Sequence, residues 1–161
     1  MEESVQQFVE RMGLMCEKEG MARSAGRIFG LLLVGDRPYS LDELAEKLQA
    51  SKASVSTNCR MLEQLGMIER VSALGDRRDF YRVLQDPWER MLRVGQAKWR
   101  DMVHAFAEAQ ATLPAHMAEG RRRMAEAERF HRLLIRECDS LLERWKEERD
   151  GGAPAARESA A

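Results

Sequence analysis

Apolar residues near the start of the chain recur at intervals of three and four. Val5, Phe8, Val9, Met12, Met15 and Cys16 fall on one helical stripe, and Gly20 is placed to stop it. A more uniformly apolar segment from about Ser24 through Val34 predicts a second, buried helix, ended by Gly35-Asp36-Arg37-Pro38. Gly26 and Gly30 lie one turn apart on it, which lets a neighbouring helix approach closely.

Ser40-Leu41-Asp42-Glu43 has the spacing of a capping box, in which the serine hydroxyl and the glutamate carboxylate each accept a backbone N–H. It opens a short helix with Leu41, Leu44, Ala45 and Leu48 inside. After only Gln49 and Ala50, Ser51 starts another helix that faces inward through Val55, Cys59, Leu62 and Leu65, with Gly66 as its C-cap. Two short helices joined so tightly, the second with a polar outer face, predict a helix-turn-helix. Met67 to Val71 and Asp79 to Leu84 are strand-like runs around a loop from Ser72 to Arg78 that contains Gly75-Asp76. A hairpin in that position is a wing.

From Pro87 the pattern becomes helical and long. Trp88, Leu92, Gly95, Trp99, Met102, Phe106, Ala109 and Leu113 alternate at four and three, and Pro114 breaks the run. A last helix carries Met124, Ala127, Phe130, Leu134, Cys138, Leu141 and Trp145 on its apolar side. Spacing near 3.5 residues suits packing against partner helices. The Gly/Ala/Pro/Ser composition from 150 to 161 predicts a disordered tail.

Composition narrows the class. With 161 residues, 44% of them hydrophobic and 33% charged, the chain has room for one compact domain plus extra helix. The longest apolar run, Ile28 to Val34, is too short to cross a bilayer, and Glu2 and Glu3 do not open a signal peptide, so a cytoplasmic location is expected. Cys16, Cys59 and Cys138 lie far apart, against a disulfide framework. Lysine and arginine number 26 against 27 acids, for a formal net charge of −1, so any nucleic-acid contact must rest on local charge.

That local charge is found after the tight turn. Ser51, Lys52, Ser54, Ser56, Thr57 and Arg60 remain once the inward positions of the second short helix are removed. Small hydroxyl side chains at a helix start let it enter a major groove closely, while Lys52 and Arg60 neutralise phosphate. Arg77 and Arg78 at the wing tip suit a narrow minor groove, whose concentrated negative potential attracts guanidinium groups. Asp76 is placed to pair with one arginine and so fix how the other projects. An ordinary solvated face and a polar hairpin tip are the plain alternatives. Between Ser51 and Leu84 six basic residues meet four acids, an excess of only two, so affinity requires two copies and is sensitive to salt.

The stretches Gly26-Arg27-Ile28-Phe29-Gly30-Leu31-Leu32, Ser40-Leu41-Asp42-Glu43-Leu44-Ala45 and Ser51-Lys52-Ala53-Ser54-Val55-Ser56 resemble the MarR superfamily, and more closely its GbsR-type branch. Leu62-Glu63-Gln64-Leu65-Gly66-Met67-Ile68-Glu69-Arg70-Val71 and Gly75-Asp76-Arg77-Arg78-Asp79-Phe80-Tyr81 continue the likeness in order. It runs from about Gly20 to Tyr81. The resemblance implies a mainly α winged helix-turn-helix homodimer held by long N- and C-terminal dimerisation helices. On that basis 1–20 is a dimerisation helix, 21–86 the DNA-binding domain, 87–149 a helical dimerisation region and 150–161 a tail. The implied function is a sequence-specific regulator of transcription, usually a repressor, sometimes released by a small-molecule effector. Helix 52–65 would then enter the major groove of an operator duplex, and wing 72–80 would meet the minor groove. A winged-helix module for protein contact, or a small-molecule-sensing scaffold without DNA contact, are the alternatives.

Other candidates carry less. Trp88, Trp99, Phe106, Phe130 and Trp145 are expected as helix-packing core rather than an aromatic cage for a cationic effector. Arg121-Arg122-Arg123 precedes Glu126 and Glu128 and is expected to be a solvated turn with i,i+4 pairs. Cys59 spaces with Val55 and Leu62 as a small buried hydrophobe rather than a redox sensor. His104, His116 and His131 have no partners at metal-ligand spacing, so neither metal nor cofactor is expected. No nucleophile elbow, P-loop or dinucleotide loop suggests an enzyme.

Overall fold

Two glycines bring the first two helices together. α1 (Glu3–Lys18) lies across α2 (Arg23–Val34), and a Cβ added at Gly26 would come within 2.4 Å of the Met12 carbonyl oxygen. At Gly30 it would stand 3.0 Å from the Met12 side chain, so the close approach read from the sequence is present. The computed structural model describes residues 1–72 and 75–151, which divide into two units, Met1–Met91 and Leu92 onward. α1 ends as expected at Gly20, whose φ of 78° lets Met21 N–H donate back to the Cys16 carbonyl.

α3 (Leu41–Leu48) begins with both bonds of the capping box: Glu43 N donates to Ser40 Oγ at 3.3 Å, and Ser40 N to Glu43 Oε2 at 2.8 Å. α4 (Lys52–Gln64) follows the three-residue turn Gln49-Ala50-Ser51. Gly66, at φ 71°, ends α4 with Met67 N–H donating to the Leu62 carbonyl and its own N–H to that of Glu63. The turn between α3 and α4 makes the same kind of backward bond, from Ala50 N–H to the Ala45 carbonyl, but with Gln49 rather than glycine in the left-handed region, φ 49°.

The hairpin joins β2 (Ile68–Ser72) to β3 (Asp79–Val83), with Arg70 opposite Tyr81 and Val71 opposite Phe80. A third strand, β1 (Tyr39–Ser40), pairs with the other edge of β3 and makes it the central strand of an antiparallel sheet ordered β1-β3-β2. The sequence pattern did not predict β1, because two residues are too few to show a period of two. The core of this unit joins Val9 of α1 to Ile28, Phe29 and Leu32 of α2, Leu44 and Leu48 of α3, Val55, Cys59 and Leu62 of α4, and Ile68 and Tyr81 of the sheet.

α5 (Pro87–Thr112) starts in the first unit with Asp86 Oδ1 accepting from Glu89 N at 3.2 Å, the expected proline-led start. Trp88 sets its ring edge-on to Phe29, with centroids 6.0 Å apart. In the second unit the rest of α5 and α6 (Ala118–Gly151) form an antiparallel hairpin. Gln96 meets Asp139, Phe106 meets His131, Gln110 meets Glu128, and Arg121 reaches the Leu113 carbonyl. Burial here departs from the predicted stripes. Cys138 is buried as its stripe predicts, but so are Gln96, Val103 and Leu142, which the stripes left out, whereas Met102, Phe130 and Leu141 are exposed. The apolar band on each helix is wider than the strip its neighbour covers, so one edge stays in solvent. α6 includes Asp150 and Gly151, which composition assigned to the tail; 152–161 lie outside the described residues.

Candidate nucleic-acid interface

The outer face of α4 is partly free and partly engaged. Ser51 is the N-cap, its hydroxyl accepting from Ser54 N at 3.2 Å, so helix initiation already uses one lone pair. Lys52 lies 2.7 Å from Asp42 Oδ1 on α3, an exposed pair that ties the two helix starts together. Ser54 and Ser56 are half-buried, while Thr57 and Arg60 are exposed with no side-chain hydrogen-bond or ionic partner among the described residues.

Ser54 is held by a residue that the sequence pattern missed. Asn58 is buried, and its Nδ2 donates to the Ser54 carbonyl at 2.8 Å and to Ser24 Oγ of α2 at 2.9 Å. A buried amide is costly unless satisfied, and these bonds pin the start of α4 against the start of α2. The signal was present: Asn58 is four residues after Ser54, beside Cys59 on the inward side, where a polar residue needs a partner.

At the wing, Asp76 takes one arginine and leaves the other. Arg78 Nη2 lies 2.6 Å from Asp76 Oδ2, its Nε donates to both carboxylate oxygens, and its backbone N–H donates to Oδ1 at 2.9 Å. The Arg78 guanidinium and its backbone N–H hold the Asp76 carboxyl down at about 2. The same guanidinium lies over the Phe80 ring, 5.3 Å from its centroid. Arg77 is exposed and has no side-chain partner among the described residues. Gly75, at φ 83°, makes the turn before this pair; positions 73 and 74 of the wing loop lie outside the described residues.

Most other cations of the segment are compensated. Arg70 pairs diagonally with Asp79 at 3.2 Å, and Arg82 with Glu69 directly across the hairpin at 2.7 Å. With Lys52 and Arg78 also paired, Arg60 and Arg77 remain as the cations of this face without a carboxylate. They match in number the local excess of two. Cys59 beneath α4 is fully buried, and burial, helped by Glu63, pushes its thiol up to about 12, so it stays protonated and serves as packing.

Residues outside this face follow packing only in part. Arg122 pairs with Glu119 and Glu126 along α6. Phe106 and Phe130 flank His131, and Trp99 and Trp145 are half-buried, but Trp88 and Phe130 are exposed, against the expectation of helix-packing core. Among the described residues no group of three or more His, Cys, Asp or Glu side chains is arranged to hold a metal ion, and no helix is long and apolar enough to cross a membrane.

Comparison with known proteins matches both halves of the chain. Residues 19–79 match a model described as the MarR family, and residues 86–148 match one described as MmpR5-like MarR family transcriptional regulator. The second covers the long helices, where the sequence showed no motif. The chain is 41% identical over 110 residues to the HTH-type transcriptional regulator MmpR5 of Mycobacterium tuberculosis, covering 68% of this chain and 62% of that protein. It is 32% identical over 105 residues to the HTH-type transcriptional repressor GbsR of Bacillus subtilis, covering 58% and 54%. The matched chain thus spans less than two thirds of the length of either curated relative. A crystal structure of a transcriptional regulator superposes with a TM-score of 0.77 at 32% identity, over 89% of this chain and 99% of that one.

Proposed function

The chain belongs to the MarR family of transcriptional regulators, and from that premise we propose that it binds operator DNA as a cytoplasmic homodimer and represses transcription. In this assignment α4 enters the major groove. Thr57 and Ser56 face base edges, Ser51, Ser54, Lys52 and Arg60 meet the backbone, and the wing presents Arg77 to the minor groove. Arg78 supports the wing tip rather than reaching out, because Asp76 and Phe80 occupy it. The observation that carries the proposal is the unpaired Arg77, left projecting beside a helix whose exposed Thr57 and Arg60 are also unpaired. The role is binding, not catalysis.

Dimerisation is supported by apolar side chains left in solvent on three helices. Leu14 and Met15 of α1, Met102 of α5, and Phe130, Leu133 and Leu141 of α6 are all exposed, Phe130 by 56%. Such surface is uncommon on a monomer unless a partner covers it.

Selection of bound duplexes from a random pool, followed by titration of the winning site, tests the assignment. Arg77→Ala should weaken binding across all sequences. Thr57→Ala should change preference at one position per half-site by about 1–3 kcal/mol. A stable dimer that retains no duplex at low salt would favour a protein-contact module instead.

A further inference from the structure

We infer that the groove between α5 and α6 is a binding site for a small organic carboxylate. It encloses about 300 Å³ and is lined by Arg100, Val103 and His104 of α5 and by Arg132, Ile135 and Arg136 of α6. Each helix supplies two basic side chains four residues apart, a spacing that stacks them on one face. No carboxylate lines the groove.

Many cations elsewhere in the chain are compensated by carboxylates. Acids and bases are almost equal in number, and Arg23, Arg27, Arg37, Lys52, Arg70, Arg78, Arg82 and Arg122 all have carboxylate partners within 4 Å. In the groove Arg132 is held by Glu128 at 2.8 Å, but Arg100 and Arg136 have no carboxylate at ion-pair distance among the described residues. Two unpaired guanidinium groups that face one groove repel each other until an anion enters. A guanidinium is also the side chain best shaped to hold a carboxylate through two parallel N–H···O bonds.

The rest of the lining specifies what the anion carries. Val103 is buried and Ile135 half-buried beneath the cations, so an apolar body can rest on them while its carboxylate meets the arginines. A bare inorganic anion leaves that floor wet, and a quaternary ammonium is repelled. The site stands independently of DNA binding, since ligand and protein suffice to detect it.

Titration calorimetry and thermal melting of the full chain, without DNA, test the assignment with hexanoate as the probe. Inorganic phosphate supplies charge without a tail, hexanol a tail without charge, and hexyltrimethylammonium the opposite charge. Hexanoate should bind with a Kd on the order of 1 mM or tighter and raise the melting temperature, with the three controls at least about tenfold weaker. The Arg100→Gln/Arg136→Gln pair, both on exposed positions, should keep the helical circular-dichroism signal and lose hexanoate binding by about tenfold or more. Equal binding of phosphate would reduce the groove to a general anion patch and overturn the inference. So would unchanged affinity in the double variant, or absence of binding because a second copy of the chain covers the groove.

Discussion

At the residue scale, function rests on which side chains are left unemployed. Six basic residues populate α4 and the hairpin, yet local carboxylates take four of them, leaving Arg60 and Arg77. Position along the chain does not separate Arg77 from Arg78; the bonds of Asp76 do. Another residue shows strain rather than reserve. Gln49 holds a left-handed backbone where a Cβ is disfavoured by about 1–2 kcal/mol. Glycine relieves this but loses more entropy on folding, so Gln49→Gly should stabilise the chain by about 0.5–1 kcal/mol, while Gln49→Ala should not. Paired urea melts of the two variants measure the difference.

Elements were legible in the sequence wherever a cap or a sustained period marked them. Ser40 and Glu43 announced α3, Gly66 closed α4, and Pro87 opened α5, each through local bonds that the structure contains. β1 was not legible, because its formation depends on β3, some forty residues later. The inward amide of Asn58 was also missed, since its partner Ser24 is on another helix. The buried faces of α5 and α6 were only partly readable: periodicity marks an apolar band, but the neighbour decides which edge of it is covered.

The capping box has a consequence that acid can probe. The Arg37 guanidinium and the Ser40 backbone N–H lower the Glu43 carboxyl from 4.5 to about 2. A carboxyl lowered by folding contributes stability that is full above pH 4.5 and is lost as pH falls toward about 2. Glu43→Gln should therefore lower the urea midpoint at neutral pH, and its deficit relative to the unaltered chain should shrink across that acidic window. A deficit independent of pH would contradict the ionic part.

For the whole molecule, the near-balance of charge sets how DNA binding responds to salt. A chain of net charge −1 gains little from long-range attraction, so contacts with phosphate must come from the few uncompensated cations. Two copies, each offering Arg60 and Arg77, with Lys52 already neutralised by Asp42, give roughly four uncompensated cations and a log–log slope of affinity against salt near −4. One copy gives about −2, and Arg77→Ala in the dimer should return the slope to about that value. Filter binding between low and moderate salt distinguishes these cases. A final consequence concerns the transfer of parts between homologues. Ser40 is at once a rung of the ladder opposite Phe80 and the first hydrogen-bonding residue of α3, so the hairpin and the helix pair share a hinge pin. A chimera that imports a foreign wing must bring a matching Tyr39-Ser40 dipeptide with it, or β3 will present a raw edge and α3 will lose the anchor from which it is aimed.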